Sequence, residues 1–175
     1  MYLQHDNIVI RNATAADAPQ LAAWWNDGSV MAHAGFPLGL GTSAEKIAAD
    51  LANDTDTTRR RLMLLISDTP IGEMCCYNAG NNTAEIGIKI CKSDHQEKGI
   101  GRIALSMLLG HLFAAGYCKI VLDTNLKNTW AQHVYEKLGF RQTAVHLNSW
   151  KNQLGESESS VDYELLPADF VDFTV

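Results

Sequence analysis

No apolar run among the 175 residues approaches the roughly 20 consecutive positions that a membrane-spanning helix needs, so no membrane span is expected. The opening residues, Met1 to Asn7, hold no basic stretch followed by an apolar core, so no secretory leader is expected and the cytoplasm is the expected compartment. Cysteine is scarce. Cys75, Cys76, Cys91 and Cys118 show no C-x-x-C spacing and read as reduced, mostly buried thiols rather than a disulfide framework. The histidines, at positions 5, 33, 95, 111, 133 and 146, lack metal-ligand spacing, and no metal is expected. Positive charge is in deficit: 14 Lys and Arg against 20 Asp and Glu leave a net charge of −6, which argues against nucleic acid as a partner. Two familiar phosphate signatures are also absent. Neither G-x-G-x-x-G after a first strand nor G-x-x-x-x-G-K-S/T occurs. There is no internal repeat and no low-complexity segment.

What is present is an ordinary globular composition, 46% apolar and 19% charged, at a length that suits one domain over 1–175 with a sizeable core. Its most informative stretch is Gln96-Glu97-Lys98-Gly99-Ile100-Gly101-Arg102. Before it, Glu85 to Cys91 alternate apolar and polar side chains as a half-buried strand does. After it, Ala104, Leu105, Leu108, Leu109 and Leu112 recur at helical spacing, and Gly116 stands where a helix C-cap glycine belongs. A glycine-containing loop that enters a helix N-terminus points backbone N–H groups and the positive helix end at one spot, which holds phosphate. Lys98 and Arg102 add charge there, so a ligand with a pyrophosphate is expected.

The remaining elements follow from periodicity and punctuation. Ile8 to Arg11 reads as a first strand. Thr14 and Asp17 resemble an N-cap pair before a helix with Leu21, Trp24 and Trp25. Thr42-Ser43-Ala44-Glu45 is a capping box that opens a second helix through about Asn53. Leu62–Ile66 and Ile71–Tyr77 are strands around the turn Asp68-Thr69-Pro70. Asn78 to Asn82 turns the chain into the strand before the loop, which makes these two an antiparallel hairpin. Lys119–Thr124 is a strand, and Thr129–Leu138 a helix with Asn128 as N-cap and Gly139 at its end. Strands near Arg141–Trp150 and Ser160–Leu165 complete a mixed α/β (α+β) sheet with helices on its faces.

Two motifs in order, Q-x-x-G-x-G at Gln96 to Gly101 and N-x-x-A-x-x-x-Y-x-K-x-G-F at Asn128 to Phe140, resemble those of the GNAT family of N-acetyltransferases. The resemblance covers roughly residues 8 to 165, and Ala84-Glu85-Ile86-Gly87 resembles a run common in the branch that modifies ribosomal-protein N-termini. It implies a mostly antiparallel central sheet and an acetyl-CoA co-substrate. The pyrophosphate would lie on Gln96, Glu97, Lys98, Gly99, Ile100, Gly101 and Arg102, with Asn128 against the pantetheine arm. It implies an oxyanion-stabilising backbone N–H at Cys91, with Ile90 beside it, and Tyr135 as the acid that protonates the thiolate. For the general base, Glu73 and Glu85 on the central hairpin are the candidates. Cys91 is not expected to be a nucleophile, since no His or Asp is placed to activate it. The acceptor would sit by the segment between the first two helices, where Trp25, Asp27 and Phe36 suit a cationic amine. The implied reaction moves an acetyl group to a small-molecule amine, such as an aminoglycoside or polyamine, or to a protein N-terminus. Rivals are a non-catalytic acyl-CoA-binding module and, for assembly, a homodimer through the C-terminal strands.

Overall fold

In a computed structural model that describes all 175 residues, the alternating segments assemble into one eight-stranded sheet. The strands are β1 (Tyr2–His5), β2 (Ile8–Asn12), β3 (Arg59–Ile66), β4 (Thr69–Gly80), β5 (Thr83–Ile90), β6 (Lys119–Asn125), β7 (Arg141–Lys151) and β8 (Ser157–Leu165). The helices are α1 (Ala18–Trp25), α2 (Gly28–Met31), α3 (Ala44–Leu51), α4 (Ile100–Ala114) and α5 (Thr129–Lys137). Across the sheet the order is β1-β2-β3-β4-β5-β6-β8-β7, and only the β5–β6 pair runs parallel. This is the mixed, mostly antiparallel sheet flanked by helices that the sequence leads one to expect. Strand β1 is an addition. Its turn uses Asp6 in the left-handed region at φ 50 rather than an Asn-Gly pair, so the hairpin signal is faint.

The centre of the sheet is buried on both faces, and β3 shows why its run is continuously apolar. Leu62 and Leu64 enter the larger core, where Leu105, Leu108, Leu109 and Leu112 of α4 cover the sheet. Met63 and Leu65 point the other way, beneath Leu21 and Trp24 of α1 and Ile47 and Leu51 of α3. Truncating a fully buried leucine here costs about 2–5 kcal/mol. The expected caps are in place: Ser43 accepts from Lys46 N at 3.3 Å, and the Thr14–Asp17 capping box closes before α1.

One irregularity makes room for a site. Strands β5 and β6 pair only at Thr83–Lys119, Ala84–Ile120 and Glu85–Val121, then part. Beyond that point the facing edges have no partner strand. Such edges leave backbone N–H and C=O groups that must find other partners.

Candidate active site

The loop expected to hold phosphate lies at the mouth of this parting. Gly99 is the N-cap of α4 at φ 79, a left-handed conformation that glycine takes without the penalty a Cβ brings. Gln96 Nε2 donates to Ile90 O at 2.8 Å, which ties the loop to the open edge of β5. The first intrahelical bonds are those of Arg102 N and Ile103 N to Gly99 O, so the N–H groups of Ile100 and Gly101 precede the ladder. Gln96, Glu97, Gly99, Gly101 and Arg102 line the cleft. Lys98 and Ile100 do not: Lys98 is exposed, and the Ile100 side chain packs on the larger core. The Arg102 guanidinium stacks 4.2 Å from the centroid of the Phe173 ring, and its Nε is buried with no acceptor in the protein. Phe173 N donates to the buried Ser106 Oγ at 3.0 Å and Phe170 packs on Phe113, so the tail belongs to the wall behind the loop.

The cleft encloses about 1170 Å³ and reaches from α4 through the sheet to α2. Ile86, Ile88 and Ile90 form one wall; Asn128, Ala131, Val134 and Tyr135 stand opposite. The ladder turns the N–H of Cys91, the expected oxyanion donor, away from the cleft. Cys91 N donates to Ile71 O at 2.8 Å, so that N–H points at β4 and is already engaged. Main-chain groups alternate between the two edges of a strand, so the N–H of Ile90 faces the cleft instead. The Cys91 thiol is pushed up to about 12 by burial, with the Glu73 charge adding to the rise, which leaves it inert as a nucleophile. Tyr135 is buried, its ring packed edge-on against Phe140 and tilted on Tyr163 at centroid distances of 5.8 Å. Burial first, then the charge of Asp123, pushes its phenol up to about 12, so it stays protonated at neutral pH. Asn128 caps α5, its side chain accepting from Ala131 N at 3.3 Å.

The acceptor end departs further from expectation. Glu85 faces Tyr77 and Val121 where the strands are still paired, outside the cleft lining. Glu73 is also off the lining: its carboxylate takes Trp25 Nε1–H at 2.8 Å and Lys89 Nζ at 3.1 Å. Trp25 therefore braces Glu73 and packs with the smaller core rather than facing the cleft. Phe36 lies outside the lining as well, and only Asp27 of the expected acceptor residues is on it. Asp27 caps α2 through Ser29 N and Ser29 Oγ, and the Ser29 hydroxyl leads in holding its carboxyl below the usual range. His33, in the segment between the first two helices where the acceptor is expected, also lines it, and the unforeseen residues include Val30, Trp150 and Asp123. Trp150 reaches α2's loop because Gly35 has no side chain; a Cβ there would lie 2.5 Å from the ring. Gln153 completes the closure, with its N–H on Gly35 O, its amide on Gly39 O and its Oε1 accepting from Leu38 N. Nothing in the sequence joins position 153 to positions 35–39, since the contact depends on how the β7–β8 hairpin bends.

Comparison with known proteins gives the fold its family. The model of the GNAT acetyltransferase domain matches residues 7–141, so the chain belongs to the GNAT acetyltransferase family. Over 66 residues it is 36% identical to a mycothiol acetyltransferase of Cellulomonas flavigena, a stretch that is 38% of this chain and 19% of that protein. The chain thus covers about a fifth of that relative's length. A spermidine N-acetyltransferase from Vibrio cholerae, solved with CoA and spermine, superposes with a TM-score of 0.81 at 20% identity, over 93% of this chain and 97% of that one. RimL, a ribosomal L7/L12 α-N-protein acetyltransferase solved with coenzyme A, superposes with a TM-score of 0.81 at 15% identity, over 95% and 98%. At these identities the likeness is one of fold.

Proposed function

We propose that this chain moves the acetyl group of acetyl-CoA to a primary amine. The observation that carries this reading is the parting of β5 from β6 directly above the Gln96–Arg102 loop, with Tyr135 inside the opening. The residues present fit the donor. Two N–H groups before the α4 ladder and the unaccepted Nε of Arg102 are donors that phosphate oxygens would satisfy. An extended thioester arm fits along the unpaired edge of β5, whose backbone groups would otherwise lack partners. There the Ile90 N–H would be placed to stabilise the oxygen that gains charge when nitrogen attacks. Tyr135 holds its proton for the departing thiolate, and Asn128 keeps α5, and with it Tyr135, at the wall.

Among primary amines, the acceptor end favours a small cation. Asp27 and Asp123 place carboxylates on its lining, and the Gln153 bonds to Gly39 and Leu38 fix the loop that carries α2 beside it. The test is a turnover assay with acetyl-CoA against spermidine, an aminoglycoside and short peptides with free N-termini, read as mass gain of one acetyl group. Acetylation of the small polyamine ahead of the peptides supports the reading. Acetylation of the peptides alone overturns the choice of acceptor, and no acetylation of any amine overturns the activity.

A further inference from the structure

The acetyl-transfer reading needs a group that takes a proton from the acceptor ammonium, and neither glutamate on the central hairpin reaches the cleft. Four carboxylates line it: Asp27, Asp94, Glu97 and Asp123. Asp27 is held by Ser29, and Asp94 by His95 at 2.8 Å. Glu97 belongs to the phosphate loop, at φ 60. Asp123 alone lines the acceptor end with no side-chain donor on it. Ile120 and Leu122 turn into the larger core, so strand alternation turns Asp123 to the opposite face, where α2 lies. On β8 its directly paired neighbour is Asp162, and Asp162 Oδ2 is 2.8 Å from His146 Nε2 on β7. A carboxylate, a second carboxylate and an imidazole thus run in a row from the cleft wall to the exposed edge strand.

We propose that Asp123 is the general base of the reaction, that it gives its proton directly to water in the open cleft, and that Asp162 and His146 are positioning residues that set its proton affinity. In balance, the acceptor ammonium gives one proton to Asp123. The nitrogen lone pair then forms the N–C bond to the acetyl carbonyl carbon, and the C–S bond breaks. Tyr135 protonates the departing thiolate and is restored by the second proton leaving nitrogen, while the proton on Asp123 exits to water. One amide, one thiol and one released proton result.

Asp123 is influenced by Asp162 on β8 and His146 on β7, its own charge reaches Tyr135 on α5, and Asp27, His33 and Lys89 line the same cleft. Desolvation at the cleft wall, then the Asp162 charge, raise the Asp123 carboxyl above the ordinary range, and the His146 imidazole opposes the rise. A raised carboxyl is a better base, and its protonation defines the acid limb of activity. The Glu73 carboxylate, by contrast, is tied to Lys89.

The inference rests on the proposed activity, and the test separates the two. In wild type, D123N, D162N and H146Q, kcat/KM for the acceptor is measured against pH, with acetyl-CoA affinity measured in parallel. The expected result is a loss of about 10²–10⁴-fold in D123N at neutral pH, with acetyl-CoA affinity unchanged. That loss should recover as pH approaches the acceptor's own pKa, where free amine needs no base. The acid limb should move down in D162N, which removes a like charge, and up in H146Q, which removes an opposing one. A purely structural role would not shift the limb in opposite directions. If the wild type acetylates the amine and D123N matches it at every pH, this inference fails alone. If E73Q rather than D123N shows the pH-recoverable loss, the base is Glu73. Without any wild-type turnover, both readings fail.

Discussion

The two ends of the cleft are built in different ways. The proposed donor end comes from β5, the loop, α4 and, past β6, α5, all within residues 83–137, and it would work through backbone groups, glycines and helix ends. The acceptor end is assembled from α2, the tip of β7–β8 and the end of β6, and it works through side chains brought from more than a hundred positions apart, as in the bond of Gln153 to Gly39. Backbone chemistry at fixed spacing can recognise the same phosphate in many settings. Side chains on loops and hairpin tips change without disturbing the scaffold. Under the proposed function, donor recognition is written locally and acceptor recognition in the tertiary fold.

Substitutions can break that comparison at either end. The largest effect belongs to the shared centre. Tyr135→Phe keeps the ring packing on Phe140 and Tyr163 and should lower kcat by about 10²-fold or more while leaving acetyl-CoA affinity intact, as stopped assays and titration would show. At the donor end, Gly99→Val puts a β-branched residue at φ 79, a penalty of about 1–2 kcal/mol that the free loop relieves by leaving this conformation and that binding must restore, so acetyl-CoA should bind about tenfold more weakly with acceptor KM unchanged. Gln153→Ala is its mirror: losing the side-chain bonds to Gly39 and Leu38 should raise acceptor KM by about five- to tenfold and leave donor affinity alone. Equal effects of both substitutions on both ligands would erase the distinction between the ends.

Remote from both ends is the Arg11–Asp17 pair, at 2.7 Å, and it serves as a control. The Arg11 hydrogen bond, the largest influence, holds the Asp17 carboxyl below its ordinary range. A depressed carboxyl contributes stability that is present above its unfolded pKa of about 3.9 and is lost as pH falls through the folded value. Arg11→Ala should therefore lower stability by about 2 kcal/mol at neutral pH, shrink to little in acid, and leave both KM values unchanged, as chemical denaturation at two pH values would show.

Much of the fold was legible because its signals are local. The capping box at Ser43, the Leu-rich face of α4 and the hairpin β4–β5 each show in a few adjacent residues. Strand β1 was not, because an Asp-Asn turn is a weak hairpin signal. Fixed offsets group Gly99, Gly101, Asn128 and Tyr135 in the sequence, and the fold brings all four to the lining of one cleft. Spacing does not say which edge of a strand faces an opening, so it could not show that the Cys91 N–H turns to Ile71 O. Glu73 and Glu85 were attractive as carboxylates on central strands. Only the register shows Glu85 beside a closed β5–β6 pair and Glu73 consumed by Lys89 and Trp25. Trp150 and Asp123 were out of reach for the same reason, since each acquires its place only when β6, β8 and β7 pair.

The most direct measurement is a calorimetric titration of acetyl-CoA into the wild-type chain and into Gly99→Val, with ATP and NADH as comparison ligands. Selective micromolar binding of acetyl-CoA, weakened about tenfold in Gly99→Val, is the result expected if the parted strands and the glycine loop form the donor site. No acetyl-CoA binding to a folded sample free of co-purified CoA, or binding of equal strength in both proteins, would contradict it.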